Sequence, residues 1–163
     1  MIITALRDQY VYEGEFFKAA ELYDAPPYEP EEKLIFGPIL QVADEIRRRW
    51  GRPIPCTSGV RTPEKQRLLI RRGLSTAKHS PHVYRIAMDL DVATPQETRD
   101  LAALARRVSK DLGIPIRIGW MLYLRRGQTF IHIDCGPLVA YLAHREGLIP
   151  EGVKEAWLQV TEW

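Results

Sequence analysis

The chain has 163 residues, 45% of them hydrophobic and 27% charged, a balance that suits one globular domain with a core of ordinary size. A net charge of +2 and a pI near 8.6 are too mild to mark a nucleic-acid binder. The basic clusters Arg47-Arg48-Arg49, Arg71-Arg72, Arg106-Arg107 and Arg125-Arg126 are scattered and read as solvated helix faces, so no nucleic-acid partner is expected.

The first residues, MIITALRDQYVYEGEFF, carry neither a basic n-region nor a sustained apolar h-region, and they do not read as a secretory signal. No apolar run is long enough to span a membrane. The expected location is the cytoplasm, or outside the cell by a signal-independent route such as phage lysis. Residues 1–30 read as an N-terminal extension of a single domain spanning 1–163, and DAPPYEPEE (24–32) reads as an acidic, proline-rich connector. Residues 31–50 read as the longest helix. Ile35, Ile39, Val42 and Ile46 form its apolar stripe and Gly51 is its stop; Gly37-Pro38 either kinks it or delays its start.

PIPCTSGV (53–60) reads as a strand ending in a turn at Ser58-Gly59. In RTPEKQRLLIRRG (61–73), Thr62 can cap a helix, Pro63 suits its first position, Glu64 favours its positive end and Gly73 stops it. Residues 74–85 form a loop holding His79 and His82, and a strand follows at 86–92. The next segment, 93–113, opens a helix with Thr94 and Glu97 spaced as a capping box around Pro95. IPIRIGWMLYL (114–124) and TFIHIDCG (129–136) read as strands around a turn at Arg126-Gly127, and the C-terminal part reads as helical. This order predicts an α+β fold with a small antiparallel or mixed sheet covered by helices. Cys56 and Cys135 share strand faces with isoleucines and are expected to be buried free thiols.

Two strands carry ligand-type residues on one face. At 86–92, Ile86, Met88, Leu90 and Val92 alternate with Ala87, Asp89 and Asp91; at 130–135, Phe130, His132 and Asp134 alternate with Ile131, Ile133 and Cys135. If both strands share a sheet, Asp89, Asp91, His132 and Asp134 point into one space, with His82 arriving from the loop before. A carboxylate on a largely buried strand is costly unless paired or bound to metal. Two imidazoles and one carboxylate suit catalytic zinc, which takes three protein ligands and keeps one position for water. The competing reading is a half-exposed sheet face with ordinary salt bridges.

SPHVYRIAMDLD resembles the motif Ser-x-His-x-x-Gly-x-Ala-x-Asp of the zinc D-Ala-D-Ala carboxypeptidase-like peptidases, a group of cell-wall peptidases and phage endolysins that shares its fold with the hedgehog signalling domain. Ser80, His82, Ala87 and Asp89 match it. FIHIDCGP resembles the closing His-x-Asp/Glu strand of that family, and TSGVRTPEKQ resembles its upstream stretch through Ser58, Gly59, Arg61, Thr62 and Gln66. The three motifs stand in the family's order across residues 56–136. The resemblance implies one zinc ion held by His82, Asp89 and His132. It also implies an Arg61 fork on a substrate carboxylate or carbonyl oxygen. Ser80 is read as a further substrate contact, and His79 either as a substrate contact or as a solvated loop histidine. The zinc of that family polarises the scissile carbonyl and activates a water, while a nearby acid moves the proton.

Two positions depart from the pattern. Arg85 replaces the motif glycine, and Thr129 occupies the position, three residues before the last histidine, where many members place the catalytic acid. Asp134 becomes the candidate for that proton transfer, with orientation of a ligand histidine as its rival role. Asp91 is read either as orienting a ligand histidine or as lying in a salt bridge. Trp120 and Tyr123 are read as strand residues that line a cleft or pack, and His144 as a helix-end cation before Gly147. The resulting expectation is a monomeric zinc metallopeptidase acting on peptidoglycan stem peptides or cross-links, of carboxypeptidase or endopeptidase type. The alternative is a weak or inactive zinc- or wall-binding module on the same fold.

Overall fold

The computed structural model describes residues 14–17, 19–22, 35–145 and 162–163. The connector at 24–32, most of the segment 1–30 and the helical reading beyond Arg145 lie outside the described residues. In chain order the elements are α1 (Ala19–Leu22), α2 (Gly37–Trp50), β1 (Cys56–Ser58), α3 (Pro63–Arg71), β2 (Ala87–Asp91), α4 (Pro95–Leu112), β3 (Arg117–Gly119), α5 (Met121–Arg125), β4 (Phe130–Asp134) and α6 (Gly136–Arg145). The fold is α+β, as expected. Its sheet has the order β1-β2-β4-β3 with antiparallel pairing throughout, and a parallel bridge between Ile118 and Glu162 extends it beyond β3. Among the described residues, no helix is long and apolar enough to cross a membrane.

Local chemistry explains the helices. Pro38 has no N–H to donate, so it is tolerated only in the first turn; α2 therefore starts at Gly37 rather than near residue 31. Ile35 falls ahead of the helix but is still buried with Ile39, Val42 and Ile46. Thr62 Oγ1 accepts from Lys65 N at the start of α3. At α4, Thr94 Oγ1 accepts from Glu97 N while Glu97 returns to Ala93 N, so the capping box closes one residue upstream of the cap. The core lies between α2, α4 and the apolar sheet face: Met88, Leu90, Ile131 and Ile133 are sealed against Ile39, Val42, Leu101 and Val108. Each such side chain contributes about 1.5–3 kcal/mol through removal from water. The fully buried Asp44 of α2 accepts from Glu15 N and Phe16 N, and Phe17 and Leu22 are buried, so the described part of the 1–30 segment packs into this core.

Two strand readings need correction. The run 53–60 forms a strand only at Cys56–Ser58, where the pairing with β2 is irregular. The run 114–124 is not one strand: β3 covers Arg117–Gly119 and α5 begins at Met121. The Trp163 carbonyl accepts from both Trp120 N and Met121 N, which ends the ladder there, and Met-Leu-Tyr-Leu-Arg are residues that accept helical geometry readily. Trp120 is consequently the residue preceding a helix, and Tyr123 a residue within it.

The loop before β2 ends in a tight turn at 81–85, closed by Val83 N to Ser80 O, Arg85 N to His82 O and Ile86 N to Pro81 O. Arg85 takes φ 64°, the left-handed conformation that glycine adopts without penalty. The backbone at the motif-glycine position therefore keeps a glycine-like shape although the residue is arginine. Its carbonyl accepts from Phe36 N at 2.8 Å, which ties the turn to the start of α2. Two truncations isolate the backbone cost. Arg85→Gly should be more stable than Arg85→Ala by about 1 kcal/mol in denaturant unfolding, because both remove the same long side chain and only alanine is strained. Equal stabilities would show that the turn relaxes.

Candidate metal centre

Sheet register brings the ligand-type residues together. In the β2–β4 ladder Asp89 stands opposite His132 and Ala87 opposite Asp134; in the β3–β4 ladder Arg117 stands opposite Asp134 and Gly119 opposite His132. Opposed residues of an antiparallel pair share a face, with Cβ atoms about 4.5–5.5 Å apart. Asp89, His132, Asp134 and Arg117 thus all project from the face opposite the core. His82 reaches the same point from the 81–85 turn. Its Nδ1 lies 2.7 Å from the Gly59 carbonyl oxygen. Gly59 is needed there, since a Cβ would stand 2.2 Å from the Leu22 carbonyl oxygen.

The second-nitrogen contacts assign the tautomers. A carbonyl only accepts, so His82 Nδ1 carries the hydrogen and Nε2 faces Asp89 Oδ1 at 3.2 Å. An ionised carboxylate likewise only accepts. His132 Nε2, 2.8 Å from Asp134 Oδ2, therefore donates, and Nδ1 faces Asp89 Oδ1 at 2.9 Å. In the neutral imidazoles both facing nitrogens present lone pairs to a carboxylate oxygen, which is favourable only with a proton or a cation between them. The donor atoms of His82, Asp89 and His132 lie within 4.8 Å of one another, so this set fits a metal ion. Burial alone would push the Asp89 carboxyl up, but the imidazoles of His82 and His132 outweigh it and hold it below the usual carboxylate range. Burial disfavours the His132 imidazolium, yet Asp134 and Asp89 outweigh that and push its pKa up to about 9.

Asp134 sits behind His132. It is fully buried; Oδ1 accepts from Arg117 Nε and Gly136 N, both at 2.9 Å, and Oδ2 accepts from Arg117 Nη2 at 2.9 Å and from His132. Burial would raise its carboxyl, but His132 and then Arg117 outweigh this and lower it. Arg117 went unnoticed in the sequence, where its only signal is a lone cation between Ile116 and Ile118 on a short strand.

A cavity of about 630 Å³ opens over the centre, and Arg61, His79, Ser80, His82, Asp89 and His132 all line it. Arg61 Nη1 donates to Gln66 Oε1 and Nη2 to Ser58 Oγ, both at 2.8 Å. Gln66, buried, also donates to Ser75 Oγ and the Ala77 carbonyl, so it fixes Arg61 and the 74–85 loop together. Ser80 is buried at the wall, while His79 is exposed with Nδ1 3.3 Å from the Tyr84 hydroxyl. Asp91 and Thr129 do not line the cavity. Asp91 lies opposite Phe130 and has no side-chain partner among the described residues; burial raises its carboxyl. The side chain of His144 lies outside what the structure describes. Tyr123 lines the cavity from α5. Burial and then the Asp89 charge raise its hydroxyl, and a hydrogen bond from Trp163 partly offsets them. Trp163 is a second residue that sequence reading missed.

The family model of Peptidase M15 matches residues 24–134. No curated protein sequence matches the chain. Among solved structures, the L-Ala D-Glu endopeptidase ChiX of Serratia marcescens is similar at a TM-score of 0.53 and 20% identity, covering 62% of this chain and 80% of that one. That likeness concerns the fold. The family match spans more than half of the chain and takes in His82, Asp89, His132 and the Asp134 behind them, and on that extent the chain belongs to the M15 family of metallopeptidases.

Proposed function

We propose that this protein is a zinc-dependent peptidase that cleaves peptide bonds in peptidoglycan stem peptides or their cross-links. The observation that carries this reading is the convergence of His82 Nε2, Asp89 Oδ1 and His132 Nδ1 at the wall of the cavity. A zinc ion held there supplies a Lewis acid that polarises a carbonyl and lowers the pKa of a water. The remaining work falls to side chains. The Gly59 carbonyl and Asp134 fix the tautomers of His82 and His132, and Arg117 holds Asp134 in turn. Arg61, steadied by Gln66 and Ser58, offers its fork to a substrate carboxylate or to the scissile carbonyl. Ser80 and His79 contact the peptide. Arg61, Lys78 and Arg126 line the cavity while Asp89 is the only lining carboxylate among the described residues, which supports an anionic substrate.

The expectation that Asp134 moves the proton is revised. Its oxygens already accept from Arg117, Gly136 N and His132, and it does not line the cavity. We assign it the orienting role. A second reading, the weak or inactive binding module, is supported by two observations: among the described residues no carboxylate besides Asp89 lines the cavity, and Thr129 stands where many members carry an acid. A synthetic stem pentapeptide carries both bonds at issue, L-Ala–D-Glu and D-Ala–D-Ala. Mass spectrometry of its digest should show one of them cut; stoichiometric zinc with no cleavage would favour the binding module instead.

The site also sets its metal content, its proton balance and the response to two substitutions. Protein purified without added metal should hold about one zinc. Uptake by the metal-free form at pH 7 should release about one proton, because His132 keeps its proton up to about pH 9 until a metal replaces it. The sign of the pH dependence follows. Between pH 6.5 and 9 the metal-free native state binds a proton that the unfolded chain has lost, so its stability falls as pH rises, whereas zinc affinity rises. Absence of stoichiometric metal together with no uptake would overturn the zinc reading. Asp134→Asn should weaken zinc binding by about 10–100-fold, with excess zinc restoring most activity; lost turnover with zinc retained would reinstate Asp134 as the base. Arg61→Lys keeps the charge but loses the fork, and it should cut cleavage by about 10-fold or more, since a charged hydrogen-bonded pair contributes about 1.5–3 kcal/mol.

A further inference from the structure

One wall of the cavity has no part in the roles above. Glu162 and Trp163 run beside β3: Trp163 N donates to Ile118 O at 2.9 Å, and the Trp163 carbonyl accepts from Trp120 N at 2.6 Å and Met121 N at 3.0 Å. Glu162 takes the Arg106 guanidinium, with Nε at 3.0 Å, and Trp120 Nε1 at 2.6 Å. These links place the Trp163 indole over Gly119, where a Cβ would stand 2.7 Å from Cε2, so only glycine leaves room for it. The indole then lies 5.6 Å from the His132 ring, centroid to centroid, and the Tyr123 and Phe130 rings stack at 4.5 Å. Tyr123, Phe130, His132 and Trp163 all line the cavity, and Trp163 is half-buried there. Trp163 lies outside residues 24–134, the stretch that the family model matches.

On the peptidase reading above, we infer that Trp163 is a specificity-determining residue. Its indole, held by the β3 edge, forms with Tyr123 and Phe130 an aromatic wall for an aliphatic part of the peptide, while Arg61, Lys78 and Arg126 take the peptide's carboxylates. A rigid ring that lines the cavity has few rotamers to lose, so it provides contact area at low entropic cost. The substrate class is a short peptide that combines carboxylates with an aliphatic side chain close to the cleaved bond.

The test compares the full chain with Trp163→Ala, Trp163→Phe and Gly119→Ala, the last displacing the indole without removing it. On the stem pentapeptide, Trp163→Ala should raise KM by about 10-fold with kcat within about twofold and zinc affinity unchanged; Trp163→Phe should recover most of the loss, and Gly119→Ala should resemble Trp163→Ala. Unchanged KM in Trp163→Ala would overturn the inference. So would a joint loss of zinc affinity and activity that phenylalanine does not rescue, because that marks a purely structural residue. Tryptophan fluorescence separates this outcome from failure of the peptidase reading. If the wild-type chain neither binds zinc nor cleaves, that reading fails by itself. A pentapeptide-induced fluorescence change present in wild type and absent from Trp163→Phe still supports the wall, and an identical response in both overturns it.

Discussion

The pairing of Asp89 with His132 across β2 and β4 is the constraint on which the rest of the site depends. Strand side chains alternate with a period of two, so a slip of one residue would send both groups into the core and bring Met88 or Leu90 to the cavity. The apolar partners on the other face prevent that slip. Met88 opposite Ile133 and Leu90 opposite Ile131 are fully buried against the helices, and exposing them would cost several kcal/mol in all. The hydrophobic core thereby sets the spacing of the polar centre, although it shares no atom with it.

The centre must also solve a charge problem. Asp134 is fully buried and would be strongly unfavourable there as an isolated anion. Arg117, opposite it on β3, supplies a compensating charge in a fork geometry, and Gly136 N supplies a further donor. With its charge satisfied, Asp134 holds Nε2 of His132, whose Nδ1 faces Asp89. The row Arg117, Asp134, His132, Asp89 alternates in sign when His132 is protonated. A cation shared by His82, Asp89 and His132 would replace that proton without disturbing the order behind it.

Around this row, separate chain segments each deliver one group by a local device. The end of β1 presents the Gly59 carbonyl to His82 and Ser58 Oγ to Arg61. The 81–85 turn carries His82 inward on a left-handed Arg85. Gln66, from the first turns of α3, ties Arg61 to the loop that carries His79 and Ser80. Such cross-links matter because loops alone hold side chains poorly, and recognition of any ligand in the cavity depends on fixed donor positions.

Much of this was legible in the chain itself. Alternation at Ala87–Asp91 and Phe130–Asp134 assigned each residue to its face, and the caps at Thr62 and Thr94 located helix starts, while a family resemblance carried by Ser58, Arg61, His82, Asp89 and His132 pointed to a metallopeptidase. These are local or periodic properties, set by backbone geometry within a few residues. What could not be read depends on groups far apart in sequence. The sequence left Asp134 between proton transfer and orientation of a histidine, because its burial and its partner Arg117 appear only when β3 pairs with β4. Residues 120–124 looked like strand because their apolar run is ambiguous until the Trp163 carbonyl takes the N–H groups of Trp120 and Met121. Trp163 itself carries no local signal of a site: its place over Gly119 and His132 is settled by the edge of a sheet that the sequence does not display. Sequence by itself determined which residues can bind and on which face of their own element they lie. Tertiary structure decided which of them meet, because burial and charge compensation are properties of pairs brought together by the fold.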